Sequence, residues 1–424
     1  MELIRFPKNF AKLCFRPSID LAVLETKIEE IYEHVRQEND QALFHYTELY
    51  DGIKLSTLLV TAEELEQSSK LLPSDLKNAI LRAKANIEKF HRSQLEETKK
   101  IETTPGVYCW RRSVAIGKVG LYIPGGTAPL FSSVLMLAVP AQIAGCKEIV
   151  LCTPPDKAGN VHPTILYAAS ICGVSKIIKV GGAQAIAALA CGTESVPQVY
   201  KIFGPGNQYV AAAKRRAVKE GVAIDIEAGP TELAIIADEQ ARPDFVAADI
   251  LSQLEHGNDS QVLCVSNSEK MLEAIALEVK KQLATLPRQE FVQSSLSNSK
   301  LVLMETIKEA LSLINHYAPE HLILALRDAE HWSEQVENAG SVFIGNLTPE
   351  SAGDYASGTN HTLPTAGAAR YTAGVSLDSF VKKITFQELT SEGMKLLAPI
   401  VETMAEAEGL EAHKRAMAIR RKDT

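Results

Sequence analysis

The chain has 424 residues, 46% of them apolar and 23% charged, which suits a globular protein with room for two or more domains. Its net charge of -8 argues against a general nucleic-acid binder, which needs a basic surface. The opening Met1-Glu2-Leu3-Ile4-Arg5 has no apolar signal core, and the longest apolar stretch, Val134 to Ala141, is too short to span a bilayer.

The first hundred residues read as helical. Thr61 to Glu64 makes a capping box, and Ser74 caps a helix with Leu76, Ile80, Ala83, Ile87 and Phe90 on one stripe. From Val119 the texture changes to short apolar runs at 119–123, 149–152, 177–180, 199–203, 233–237, 262–265, 301–304, 322–325 and 341–344, with helical stretches between most of them. That is the β-α-β pattern of parallel sheets covered on both faces. Nine strands are too many for one compact unit, so two α/β domains are expected. The first spans 117–232. The second is expected to be discontinuous, 26–116 with 233–379, with 1–25 an N-terminal arm and 380–424 a helical, charged tail. Seven cysteines without a C-x-x-C pair fit a reduced, cytoplasmic setting and small buried side chains.

Three turns are built for close backbone approach: Tyr122-Ile123-Pro124-Gly125-Gly126, Gly181-Gly182-Ala183-Gln184 and Phe203-Gly204-Pro205-Gly206-Asn207. Each follows a strand and precedes a helix, where open parallel sheets bind ligands. Glycines that merely close tight turns account for any one of them equally well. The dinucleotide fingerprint is absent, because Gly204-x-Gly206 runs on to Tyr209 without a third glycine.

Further on, Gln253 and His256 are i,i+3 neighbours at a helix end that Gly257 and Asn258 terminate. Downstream come Glu320-His321, Asp354, Asn360-His361, Glu408 and His413. A histidine, aspartate and amide set with positions left open is how a catalytic zinc is held, and a neighbouring Glu and His can move protons. Taken singly, His321 or His361 is more often structural, Asp354 serves equally as a turn cap, and Gln253 alone is an uncommon ligand. His34, His45, His91, His162, His316 and His331 fit helix surfaces or termini and are assigned no function.

The strings VGLYIPGGTAPLFSSVLMLAVPA, GGAQAIAALA, KIFGPGNQYVAAAK, LSQLEHGNDSQ, YAPEHL and GDYASGTNHTLPT stand in order along the chain, and together they resemble histidinol dehydrogenase. The resemblance implies a homodimer of two incomplete Rossmann-like domains per chain. It also implies a four-electron oxidation of L-histidinol to L-histidine through an aldehyde-level intermediate, with one zinc per site and two NAD reduced. Carried over by motif, zinc would be held by Gln253, His256 and Asp354, with His413 from the partner subunit. These four would also contact substrate, together with Thr231, His321, His361 and Glu408. Tyr122, Gln184 and Asn207 would bind NAD; His321 would take the alcohol proton and Glu320 would activate water. The family's serine in Ala-Gly-Pro-Ser-Glu is Thr231 here, a stiffer hydroxyl. Glu408 and His413 lie five positions apart, about 140° around a helix, so they share a face only if Gly409 breaks it. The rival readings are a relative oxidising another polar alcohol such as a sulfonated diol, a zinc hydrolase without a redox cofactor, and a non-catalytic binding protein.

Overall fold

The computed structural model describes residues 1–16, 22–125, 128–226, 229–287 and 289–422. Gly126 of the first glycine turn lies outside them. All nine expected strands form, in two parallel sheets. The five-stranded sheet runs Lys176–Ile178, Glu148–Cys152, Lys118–Tyr122, Lys201–Phe203, Ala223–Ile224. The six-stranded sheet runs Glu2–Arg5, Lys300–Leu303, Gln261–Ser266, Glu232–Ala237, His321–Ala325, Ser341–Ile344. Its four central strands are apolar and buried almost throughout, because helices cover both faces.

Two expectations about the ends of the chain need correction. Glu2–Arg5 is the edge strand of the six-stranded sheet and part of that unit. Residues 381–389 are not helical: Val381–Leu389 pairs antiparallel with Val107–Ala115, which pairs with Lys100–Thr104 in a third, three-stranded sheet. The β-branched and aromatic run Ile384-Thr385-Phe386 suits a strand, and Phe386 stacks on Trp110 with ring centroids 5.5 Å apart. The tail becomes helical from Ser391–Ala407 onward, followed by Glu411–Lys422.

The helical segment 22–92 packs on the five-stranded sheet, against the expectation that it joins 233–379. Ile28, Ile31, Tyr32 and Val35 of Ala22–Glu38 share a core with Ala185 to Ala190. Ile80, Ala83 and Ile87 of Ser74–Arg92 share one with Val119, Leu121 and Ile149 on the other face. The backbone reinforces this, since Lys179 N–H donates to Leu58 C=O at 2.7 Å and Val60 N–H to Ile177 C=O at 3.0 Å. The apolar stripe on Ser74–Arg92 continues to buried His91, while Phe90 is exposed; Pro73, not Ser74, is its N-cap. The Thr61–Glu64 capping box forms as expected.

Candidate active site

The two parallel sheets meet the site with opposite ends. Tyr122 and Phe203 end their strands in the five-stranded sheet, at its carboxyl edge. Glu232 and His321 begin theirs in the six-stranded sheet, at its amino edge. Two cavities lie at this junction, one of about 700 Å3 and one of about 210 Å3.

Tyr122, Gln184 and Asn207 all line the larger cavity. It sits beyond the carboxyl end of Lys118–Tyr122, where the strand order of the five-stranded sheet reverses. Two helix N-termini face it: Gly182 opens Gly182–Cys191, and Asn207 caps Gln208–Ala217 through Tyr209 N–H and Val210 N–H at 3.0 and 3.1 Å. Such ends favour an anion, a diphosphate included. Tyr122 Oη accepts from Gly182 N–H at 3.0 Å. At Gly204 (φ 124°) a Cβ would lie 2.0 Å from Tyr122 O, so the third turn must be glycine here. Two histidines given no role are tied to the site or core: His162 lines this cavity, and His91 is fully buried with Nδ1 2.9 Å from Ile87 O.

The smaller cavity is lined by Thr231, His256, Glu320, His321, Asp354 and His361. Gly204 and Gly206 border it while Asn207 borders the larger one, and the helix Phe131–Ala144 begins between them, with Pro129 on one side and Ser133 on the other. Glu320 Oε2 accepts from Thr231 Oγ1 at 2.6 Å and from Glu232 N–H at 3.0 Å, yet burial pushes its pKa up to about 8. His321 is held through Nδ1, 3.3 Å from Glu232 O. Its Nε2 is enclosed without a hydrogen-bond partner, 3.8 Å from Asp354 Oδ1. Burial drives the His321 imidazole down to about 3, so it is neutral. His361 is also kept neutral by burial, at about 4, between Asp354 O at 2.8 Å and Ser133 Oγ at 3.1 Å. His256 follows Pro243–Leu254 and its C-cap Glu255; burial lowers its pKa too, but 51% of the side chain is exposed, so this lowering is the weakest of the three.

Glu350 is a member of this site that the motif spacing did not single out. It is fully buried, and burial followed by the charges of Asp354, Glu320 and Asp249 raises its pKa well above the carboxylate range. His256, Glu350 and Asp354 have donor atoms within 4.8 Å of one another. Gln253 stands behind them, buried between Thr231 and Glu350. With its amide nitrogen towards Glu350, it donates to that carboxylate, and its oxygen lies 2.5 Å from Thr231 Oγ1. Glu350 and Asp354 are i,i+4 on Glu350–Tyr355, a spacing that puts both carboxyls on one face.

This donor set fits a zinc ion. Burial also raises Asp354 to about 6 and Asp249 to about 7. Among the described residues none of these carboxyls pairs with lysine or arginine; only His256 and His321 stand within ion-pair reach of them. A dication would relieve that shortage of positive charge, and histidine and carboxylate are zinc's ordinary ligands.

Glu408 and His413 are not brought to this cavity within the chain. Glu408 caps Ser391–Ala407, Gly409 at φ 74° breaks the helix, and His413 lies in Glu411–Lys422. The two tail helices pack on each other, and the first also packs on the three-stranded sheet.

A family model described as Histidinol dehydrogenase matches residues 15–421. A histidinol dehydrogenase of Bacteroides thetaiotaomicron is 57% identical over 422 residues, 99% of each chain. A chloroplastic histidinol dehydrogenase of Arabidopsis thaliana is 53% identical over 411 residues, covering 96% of this chain and 88% of its own. The crystal structure of histidinol dehydrogenase from Elizabethkingia anophelis superposes with a TM-score of 0.98 at 49% identity, covering 100% of this chain and 98% of that one.

The acid cluster has a measurable consequence. An unfolded glutamate titrates near 4.5 and the folded Glu320 near 8, so between them the folded chain holds the extra proton. Stability from this source is complete below 4.5 and is lost as pH rises through about 8. An unfolded histidine is half protonated at 6.5 and neutral above about 7.5, where Glu320 dominates the slope of this cluster. The melting temperature of metal-free protein is therefore expected to fall as pH rises from about 7.5 through 8, and zinc to flatten that fall by stabilising the anions. Identical profiles with and without zinc would remove the metal from this cluster.

Proposed function

This chain belongs to the histidinol dehydrogenase family, and we infer that it performs that family's reaction with the residues gathered at the two cavities. It oxidises L-histidinol by four electrons to L-histidine, the final steps of histidine biosynthesis, with NAD as electron acceptor. The observation that carries the assignment of roles is the junction itself. A cavity flanked by two helix N-termini opens beside a second one holding a neutral histidine and a buried glutamate.

NAD, bound in the larger cavity against Tyr122, Gln184 and Asn207, would be the hydride acceptor. Zinc, held by Gln253, His256 and Asp354 and by His413 of a second copy, would supply positive charge to orient the substrate's imidazole and amino nitrogens. For Gln253 to serve, its oxygen must face this group, the orientation in which its amide nitrogen donates to Thr231 Oγ1 at 2.5 Å and not to Glu350. The free lone pair of His321 Nε2 takes the proton of the alcohol as its carbon loses hydride. In the second stage Glu320 takes a proton from water, which adds to the aldehyde-level carbon and makes the hydrate for the second hydride transfer. Glu320 must be anionic for this, and nearby positive charge lowers its pKa towards that state. Thr231 Oγ1 holds Glu320 Oε2, so its methyl group need not disturb the chemistry. His361 completes the substrate pocket.

Glu408 of a second copy favours an amino alcohol over a sulfonated diol, since a carboxylate pairs with an ammonium group and repels a sulfonate. A hydrolase leaves the larger cavity without a purpose, and a plain binding protein accounts for neither the donor set nor the Glu320–His321 pair. A homodimer with shared sites is supported by the tail: Glu408 and His413 have no site of their own in the chain, and its helices expose Leu396, Ile400, Met404, Leu410 and Ile419. The cytoplasmic setting is supported by seven free cysteines.

Two experiments separate the roles. His321→Asn is expected to lower histidinol oxidation by on the order of 10²–10⁴-fold with zinc retained, while Glu320→Gln spares alcohol oxidation relative to aldehyde oxidation. Equal loss of both half-reactions in both variants would contradict the division of labour. His256→Ala and His413→Ala proteins, each inactive alone, are expected to recover part of the activity when mixed and reassociated; no recovery would place His413 outside the neighbouring subunit's site.

A further inference from the structure

The larger cavity contains a carboxyl that the coenzyme residues above leave unexplained. Asp51 ends the helix Asp40–Asp51, and Gly52 at φ 71° turns the chain away. Asp51 lines the cavity with Tyr122, Gly125, Gln184 and Asn207. Its Oδ2 is enclosed and has no hydrogen-bond partner. The helix does not stabilise it, since a helix C-terminus is the negative end of the dipole. Burial raises its pKa; the Tyr122 phenol is raised first by burial, and the charge of Asp51 adds to that rise. Buried acceptors without donors are rare in folded proteins, because the lost hydration is uncompensated until a donor arrives. A carboxyl turns readily about its Cβ–Cγ bond, so both oxygens can meet a ligand.

The position of Asp51 selects the part of the ligand. The reacting ring of the coenzyme must face the smaller cavity, across the 204–207 turn and the start of Phe131–Ala144. Segments 124–133 and 204–207 contribute to both cavities, whereas Asp51, Tyr50 and Lys27 come from the helices at 22–51, which contribute nothing to the smaller one, so they face the part of the coenzyme away from the reacting ring. There the vicinal hydroxyls of the adenosine ribose offer two donors at the spacing of one carboxylate.

We propose that Asp51 binds the adenosine ribose hydroxyls of NAD and makes this protein select NAD over NADP. The inference rests on Tyr122, Gln184 and Asn207 being the coenzyme site. In NADP the 2′-hydroxyl donor is replaced by a phosphate, whose charge opposes the carboxylate. Asp156 lines the same cavity, but its Oδ1 already accepts from Ala158 N–H at 2.8 Å and Asn160 N–H at 2.9 Å, so it serves its own turn. Lys27 lies over the rings of Tyr50 and Tyr209, 5.4 Å from each centroid, so its charge is engaged with those rings.

The test is fluorescence titration of the full chain with NADH, NADPH and 2′-deoxy-NADH. In Asp51→Asn, affinity for NADH is expected to fall about tenfold or more while that for NADPH holds or rises, so the preference collapses. Wild-type protein is expected to bind 2′-deoxy-NADH more weakly than NADH, and Asp156→Asn to keep the wild-type preference. An unchanged NADH-to-NADPH ratio in Asp51→Asn, or equal wild-type affinity for NADH and its 2′-deoxy form, overturns the proposal. Unimpaired NADH binding in Gln184→Ala overturns the coenzyme site itself and this inference with it.

Discussion

Buried Glu320 and Glu350 and partly buried Asp354 stand at the amino edge of the six-stranded sheet, with Asp249 adding its charge to Glu350, and among the described residues histidines are the only cations in ion-pair reach. Such a group is expensive to ionise, and each raises the pKa of its neighbours. The surrounding architecture answers to this strain. Thr231 and the Glu232 amide hold Glu320, Gln253 bridges Thr231 and Glu350, and the Glu232 carbonyl steadies His321. Glu232 itself is anchored from the other side by Arg16 at 2.5 Å and by Ala366 N–H at 2.8 Å. The proposed zinc binding and proton transfer both draw on this one concentration of carboxyls.

The fold sets that cluster opposite a second site of opposite character. The carboxyl edge of one parallel sheet offers helix N-termini and glycine turns, which suit a diphosphate. The amino edge of the other offers acids and imidazoles. Among the described residues, the start of Phe131–Ala144 and the 204–207 turn contribute to both cavities and stand between them. The two oxidations can therefore share one substrate position while the coenzyme exchanges in a separate cavity.

Much of the sheet architecture was legible because parallel strands buried on both faces appear as plain apolar runs. Val107–Ala115 and Val381–Leu389 were not, since their half-exposed faces carry Arg, Lys, Gln and Glu in place of such a run. The stripe Ile80, Ala83, Ile87 announced a packed helix, but a stripe does not name its partner, and the five-stranded sheet proved to be it. The same stripe extends four residues to His91, which one-residue bias towards Phe90 concealed. At the site, motif resemblance located Thr231, His256, Glu320, His321, Asp354 and His361, which line one cavity. Glu350 escaped because it lies outside the matched strings, although its i,i+4 spacing from Asp354 was available. Asp51 escaped because only tertiary burial distinguishes it from any helix-terminal acid.

The most direct test is the yield of NADH from limiting L-histidinol, with zinc-loaded and chelator-treated protein side by side. Two NADH per histidinol, lost on chelation and restored by zinc, is the result expected of one site carrying both oxidations around the acid cluster. A yield of one, or a yield indifferent to chelation, would contradict it.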